Sequence, residues 1–136
     1  MKLLAFLLLL LAPLAAQAQD RPDYAPGQVW EYRTRPQEPE SLLRIQQVEG
    51  GPDGKPIYHI GVIGVRIPGI PSGMVGHLPV SRETLDASLT RLSPRTGDFP
   101  DASDGIAEWR SAHGGVFTAP VADIIDILQK AIAGPN

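Results

Sequence analysis

A chain of 136 residues with no cysteine is long enough to bury one hydrophobic core, but it has neither disulfides nor thiolate ligands to brace it. Its 12 basic and 15 acidic side chains give a net charge of −3, which disfavours nucleic acid and anionic membrane surfaces as partners.

The chain opens with "MKLLAFLLLLLAPLAAQAQD". Lys2 precedes an unbroken apolar run from Leu3 to Ala12, and Ala16-Gln17-Ala18 supplies a small-residue cleavage pattern. This is the plan of a secretory signal peptide. The apolar run is shorter than the roughly 20 residues a membrane-spanning helix needs. Cleavage after Ala18 would leave residues 19–136 as a single domain, and loss of Lys2 takes the net charge to −4. A periplasmic location in a Gram-negative cell is the expectation. The missing cysteine rules out lipid anchoring at the cleavage site and disulfides alike.

Residues 19–27 read as an extended arm turning into a first strand, "QVWEYRTR" (28–35). Trp30, Tyr32 and Thr34 alternate there with Val29, Glu31 and Arg33. "PQEPE" interrupts, and "SLLRIQQVE" (41–49) returns as a second strand. "GGPDGKP" (50–56) is a turn. "IYHIGVIGVRI" (57–67) is a third strand with both faces apolar, as in a strand covered on both sides. Gly61 and Gly64 inside it indicate a bulge or a close approach.

"PGIPSGMVG" (68–76) reads as a loop, because Pro68 and Pro71 remove strand donors. Its glycines fit neither phosphate-binding pattern and no lysine follows. "HLPVSRETLDASLTRL" (77–92) predicts a helix capped by Ser81, with Val80 and Leu85 at staple spacing and a Leu85, Leu89, Leu92 stripe. A polar loop (93–104) leads to a short helix carrying Ile106 and Trp109, capped by Asp104 and ended by Gly114-Gly115. The last helix has Thr118 as a cap candidate. Val121, Ile124, Ile125, Leu128 and Ile132 form its buried face, and Gly134-Pro135 ends it. Strands first and helices second predict an α+β fold: an antiparallel three- to four-stranded meander followed by two or three helices packed on it.

Three histidines, His59, His77 and His113, have no metal-site spacing among them. No nucleophile motif surrounds Ser72 or Ser81. The reading therefore includes no catalytic residue, no metal and no cofactor. A binding surface is expected instead at Trp30, Tyr32, Arg33, Ile70, Met74, Val75 and His77, where aromatic and arginine side chains on a strand neighbour an apolar loop.

"YAPGQVWEYRTRP", "SLLRIQQVE" and "HLPVSRETLDASL" together resemble an uncharacterised family of small, often exported bacterial proteins. The resemblance spans most of the mature chain and implies no substrate, cofactor or catalytic residue. The resulting expectation is an exported small binding or inhibitor-type protein of the cell envelope, with another envelope protein as partner. The alternatives are a small periplasmic hydrolase using His59 or His77 with a carboxylate, or a scaffold within an envelope complex.

Overall fold

The computed structural model describes residues 23–134. The expected signal peptide, residues 1–18, lies outside them. Four strands run up and down in chain order: β1 (Val29–Tyr32), β2 (Leu42–Gly50), β3 (Pro56–Ile63) and β4 (Met74–Val80). A fifth, β5 (Leu89–Leu92), returns to the open side of β1. The sheet order is β4-β3-β2-β1-β5 with every neighbouring pair antiparallel. Helix α1 (Arg82–Ser88) sits between β4 and β5, and α2 (Ser103–Ser111) and α3 (Val121–Ala133) follow. The chain is thus an α+β fold, a meander with helices packed on it, extended by one strand.

Several stretches differ from the sequence reading. The strands expected over 28–35 and 57–67 are shorter, Val29–Tyr32 and Pro56–Ile63, and Gly64 at φ 74° follows the second of them. The loop at 68–76 is shorter, because Met74, Val75 and Gly76 already belong to β4. Pro79 stands inside that strand. β4 is the edge of the sheet, so a missing N–H costs no ladder bond on its outer side. The helix expected over 77–92 spans only 82–88. Ser88 ends it: its hydroxyl donates to the Thr84 carbonyl (2.6 Å) and its own carbonyl accepts from Arg33 N–H (2.8 Å). Leu89 and Leu92, spaced like a helical stripe, instead pair with Tyr32 and Trp30 in β5.

The Ser81 cap forms as expected, its side chain accepting from Thr84 N–H. The other two expected caps do not. Asp101, not Asp104, accepts from the backbone and hydroxyl of Ser103 at the start of α2. The first N–H of α3, that of Val121, donates to Ser88 Oγ (3.0 Å) rather than to Thr118. The end of α1 therefore caps the start of α3, which satisfies a donor no local side chain reaches.

Parity along the strands sorts the sheet into two covered faces. Leu43, Ile45, Tyr58, Ile60, Val62 and Val80 point to one face and bury against Leu85 of α1 and Val121, Ile124 and Ile125 of α3. The apolar stripe of α3 is shorter than expected. Leu128 is half-buried, and Ile132 is 44% exposed beside the turn at Gly69. The second face carries Ile57 and His59 of β3 and His77 of β4. The segment after β5 crosses beneath it: Gln46 Nε2 donates to the Pro100 carbonyl, and Phe99 lies against Gly61. A Cβ on Gly61 would stand 3.2 Å from Gln46 Nε2 and 3.7 Å from Phe99. That is the close approach its glycine allows, and the β3–β4 register shifts there. α2 completes the cover with Ile106 buried.

Candidate functional site

The second face holds a run of titratable groups centred on a buried histidine. His59 is fully buried. Its Nε2–H donates to Glu49 Oε1 at 2.5 Å, and its Nδ1 lies 2.8 Å from His77 Nε2. Glu49 is the penultimate residue of β2, His59 sits mid-β3 and His77 mid-β4, so three neighbouring strands each place one member. α2 closes the run from outside. Trp109 meets the His59 and His77 rings edge-on, at centroid distances of 4.9 and 6.4 Å. Arg110 Nη2 donates to both Glu49 oxygens, at 3.0 and 2.9 Å.

Each contact has an electrostatic consequence. The Arg110 guanidinium, and then the His59 ring, hold the Glu49 carboxyl below the usual carboxylate range against the opposing effect of burial. Burial, with a smaller contribution from His59, pushes His77 down to about 4. The His59–His77 contact holds one proton. Either His59 Nδ1–H donates to His77 Nε2 or the reverse; two protonated nitrogens would face each other without an acceptor.

Glu49 and Arg110 also line a cleft of about 820 Å³ between the β2–β3 turn and the segment joining α2 to α3. Pro52, Pro56, Ile57 and Trp109 supply apolar wall, and Lys55 and His113 stand among the polar groups. Trp109 Nε1–H is spent on the Gly115 carbonyl (2.9 Å), so its indole needs no polar partner from an occupant. Gly114 makes that pose possible, since a Cβ there would lie 2.2 Å from Trp109 Cδ1.

α2 ends in a Schellman motif: Gly114 N–H bonds the Trp109 carbonyl and His113 N–H the Arg110 carbonyl. The left-handed position, where glycine is usual, is held by His113 at φ 53°. A strained, exposed histidine thus forms part of the cleft wall.

The seven residues expected to bind do not form one surface. Trp30, Tyr32 and Val75 are in the core of the first face, which corrects their reading as a recognition surface. Ile70 is half-buried against the same core, and Met74 is 38% exposed at the start of β4. Arg33 is exposed and donates to the Ala87 carbonyl. His77 alone reaches the histidine run, on the opposite face. The sequence reading missed Glu49, Trp109, Arg110 and His113 as a group. They lie on two segments about 60 residues apart, brought together by the chain crossing beneath the sheet.

The groups do not make a metal centre, since no cluster of three or more histidine or acidic side chains with ligand geometry occurs among the described residues. No helix among the described residues is long and apolar enough to cross a membrane. No protein-family model, curated protein or solved structure matches the chain.

Proposed function

We propose that the chain is an exported small binding protein of the cell envelope whose site is the cleft between the β2–β3 turn and the α2–α3 connection. The observation that carries this reading is the cleft itself. Its volume of about 820 Å³ is that of a site for a small ligand or a peptide side chain, apolar with a few fixed polar groups. Trp109 and Arg110 at its wall are residue types that dominate binding energy at protein contacts. The occupant in this reading is a segment of another envelope protein presenting an apolar side chain.

Site-specific photo-crosslinking in intact cells tests it. A photoreactive residue at Val116, in the cleft, gives one adduct identifiable by mass spectrometry. The same group at Ile127, on exposed α3, does not, and Trp109→Ala abolishes the Val116 adduct. Equal adducts from both positions, or none, overturn the reading. Export is read from the intact mass of periplasmic material, expected to begin at Gln19; retention of Met1 overturns it.

The Glu49–His59 hydrogen bond favours a second reading, a small hydrolase. Its obstacle is geometric. His59 has no exposed surface and both its ring nitrogens are engaged, and Ser81 Oγ is committed to the α1 cap. Ester turnover lost in His77→Ala would support it.

A further inference from the structure

The cleft wall and the buried histidine run are one mechanical unit. α2 touches the sheet through few points. Ile106 is buried, Trp109 rests on both imidazoles, Arg110 grips Glu49, and Gly105 backs onto His77. The Gly105 contact is close: a Cβ there would lie 2.8 Å from His77 Cβ and 3.3 Å from its Nδ1. Three of these four contacts fall on Glu49, His59 and His77, the groups whose charge depends on protons. We propose that the C-terminal half of α2 is an acid-released latch, so that a second proton on the His59–His77 pair frees α2 from the sheet and opens the cleft.

The argument begins with the proton count. His59 Nδ1 and His77 Nε2 are 2.8 Å apart, a distance held by one shared proton. A second proton either sets two N–H groups face to face across that contact or charges His77 at Nδ1, the nitrogen packed under Gly105, and in both cases the added charge is relieved by moving the ring out from beneath α2. His77 cannot move away while α2 holds Gly105 and Trp109 over it, so separation displaces the helix. The groups that face the pair are few. β2 contributes Glu49, which is already engaged by His59 and Arg110. β3 and β4 contribute the two rings themselves. From α2, Arg110 adds a further positive charge near Glu49. Asp104 and Glu108 of α2 are exposed and form none of the ion pairs to the run. Among the described residues, Glu49 is the carboxylate that pairs with the run.

The direction follows from burial. His77 resists protonation in the closed state down to about pH 4, whereas an open, solvated histidine takes a proton near 6.5. Release therefore grows as pH falls from about 6.5 towards 4, and is absent at neutral pH. Glu49 is held below the usual carboxylate range by Arg110, so it keeps its grip on the guanidinium as the pH begins to fall. The proposal rests on the cleft reading for its biological use, but not for its test.

Hydrogen exchange by mass spectrometry on the mature chain, corrected for the intrinsic pH dependence of exchange, compares α2 with α3 between pH 7 and 4.5. The expected result is at least a tenfold loss of protection across 103–111, with 121–133 unchanged. His77→Gln keeps a polar group beside His59 Nδ1 but cannot take up the second proton, and its α2 protection is expected to stay level over the same range. Should that variant fail to fold, imidazole NMR of the wild type supplies the check, because the His77 titration and α2 opening must share a midpoint. Joint loss of α2 and α3 protection, unchanged α2 protection, or separate midpoints overturn the latch. None of these readings uses a ligand, so a failed latch leaves the crosslinking result standing, and a failed crosslink leaves the latch.

Discussion

Arg35 and Glu38 form a two-pronged ion pair inside the protein, Nε to Oε1 at 2.6 Å and Nη2 to Oε2 at 3.1 Å, with side chains 5% and 0% exposed. Neither charge is left over. Arg35 also donates to Asp126 and Gln129 of α3 and to the Arg66 carbonyl, and Glu38 accepts from Arg66 N–H at 2.6 Å. The pair clamps the β1–β2 connection, the segment after β3 and α3. Glu38→Ala leaves the buried guanidinium only the half-exposed Asp126 as a counter-charge and is expected to cost about 3 kcal/mol, the low end for removing one partner of a buried pair. Arg35→Met with Glu38→Leu is expected to recover most of it. Urea melts of the three chains check both statements. A loss below about 1 kcal/mol for Glu38→Ala would put the pair at the level of a surface contact.

Gly105→Ala reverses an ordinary rule. In an isolated helix the change gains about 1 kcal/mol. Here the new methyl would sit 2.8 Å from a strand Cβ, and overpacking of this kind costs about 1–3 kcal/mol. A lower melting temperature with α2 exchange accelerated at pH 7 is the expected outcome. A raised one would show that α2 gives way without strain.

His113→Gly relieves the left-handed backbone at φ 53°. The strain is about 1–2 kcal/mol, offset by up to about 1 kcal/mol of added unfolded-chain freedom. A net gain below about 1 kcal/mol is expected in thermal or urea unfolding. If the cleft uses His113, the same variant weakens the Val116 adduct while melting higher, a combination that a purely structural histidine would not produce.

Tyr32 links β1 to the start of β2. Its hydroxyl donates to Ser41 Oγ (2.7 Å), which donates onward to the Ile63 carbonyl (2.7 Å). Burial pushes the phenol up to about 12 from its ordinary 10. Because the folded value is raised, this contribution is complete below pH 10 and is lost as pH rises towards 12. Denaturant melts at pH 9 and 11 are expected to show the loss, and Tyr32→Phe to reduce it at a cost of about 1 kcal/mol for the missing hydrogen bond.

The first three strands and the last two helices were legible because each carries its own period. β3 alternates two apolar sets, and α3 repeats Val121, Ile124, Ile125. β4 and β5 were not, for separate physical reasons. β4 carries Pro79, which a strand tolerates only at a sheet edge or bulge, and being at an edge is a tertiary property. β5 spaces Leu89 and Leu92 at a helical interval, and they face Tyr32 and Trp30 together only because the register shifts between Glu31 and Tyr32. Contacts with β1 and α3 decided it, through the carbonyl and hydroxyl of Ser88. The candidate site was less legible still. Its histidines were visible, but Glu49 and Arg110 read as a strand end and an exposed helix charge until the fold set them 2.9 Å apart.

The placement of β5 also sets the order in which the molecule can assemble. Trp30 pairs with Leu92, about 60 positions further along, whereas the hairpins between β2, β3 and β4 join near neighbours, and loop closure delays the distant pair. Until β5 docks, β1 has one unpaired side and the strap beneath the second face has no anchor at its near end. β1 cannot be locked into a finished sheet before residue 92 has been made, so the sheet closes late however early its hairpins form.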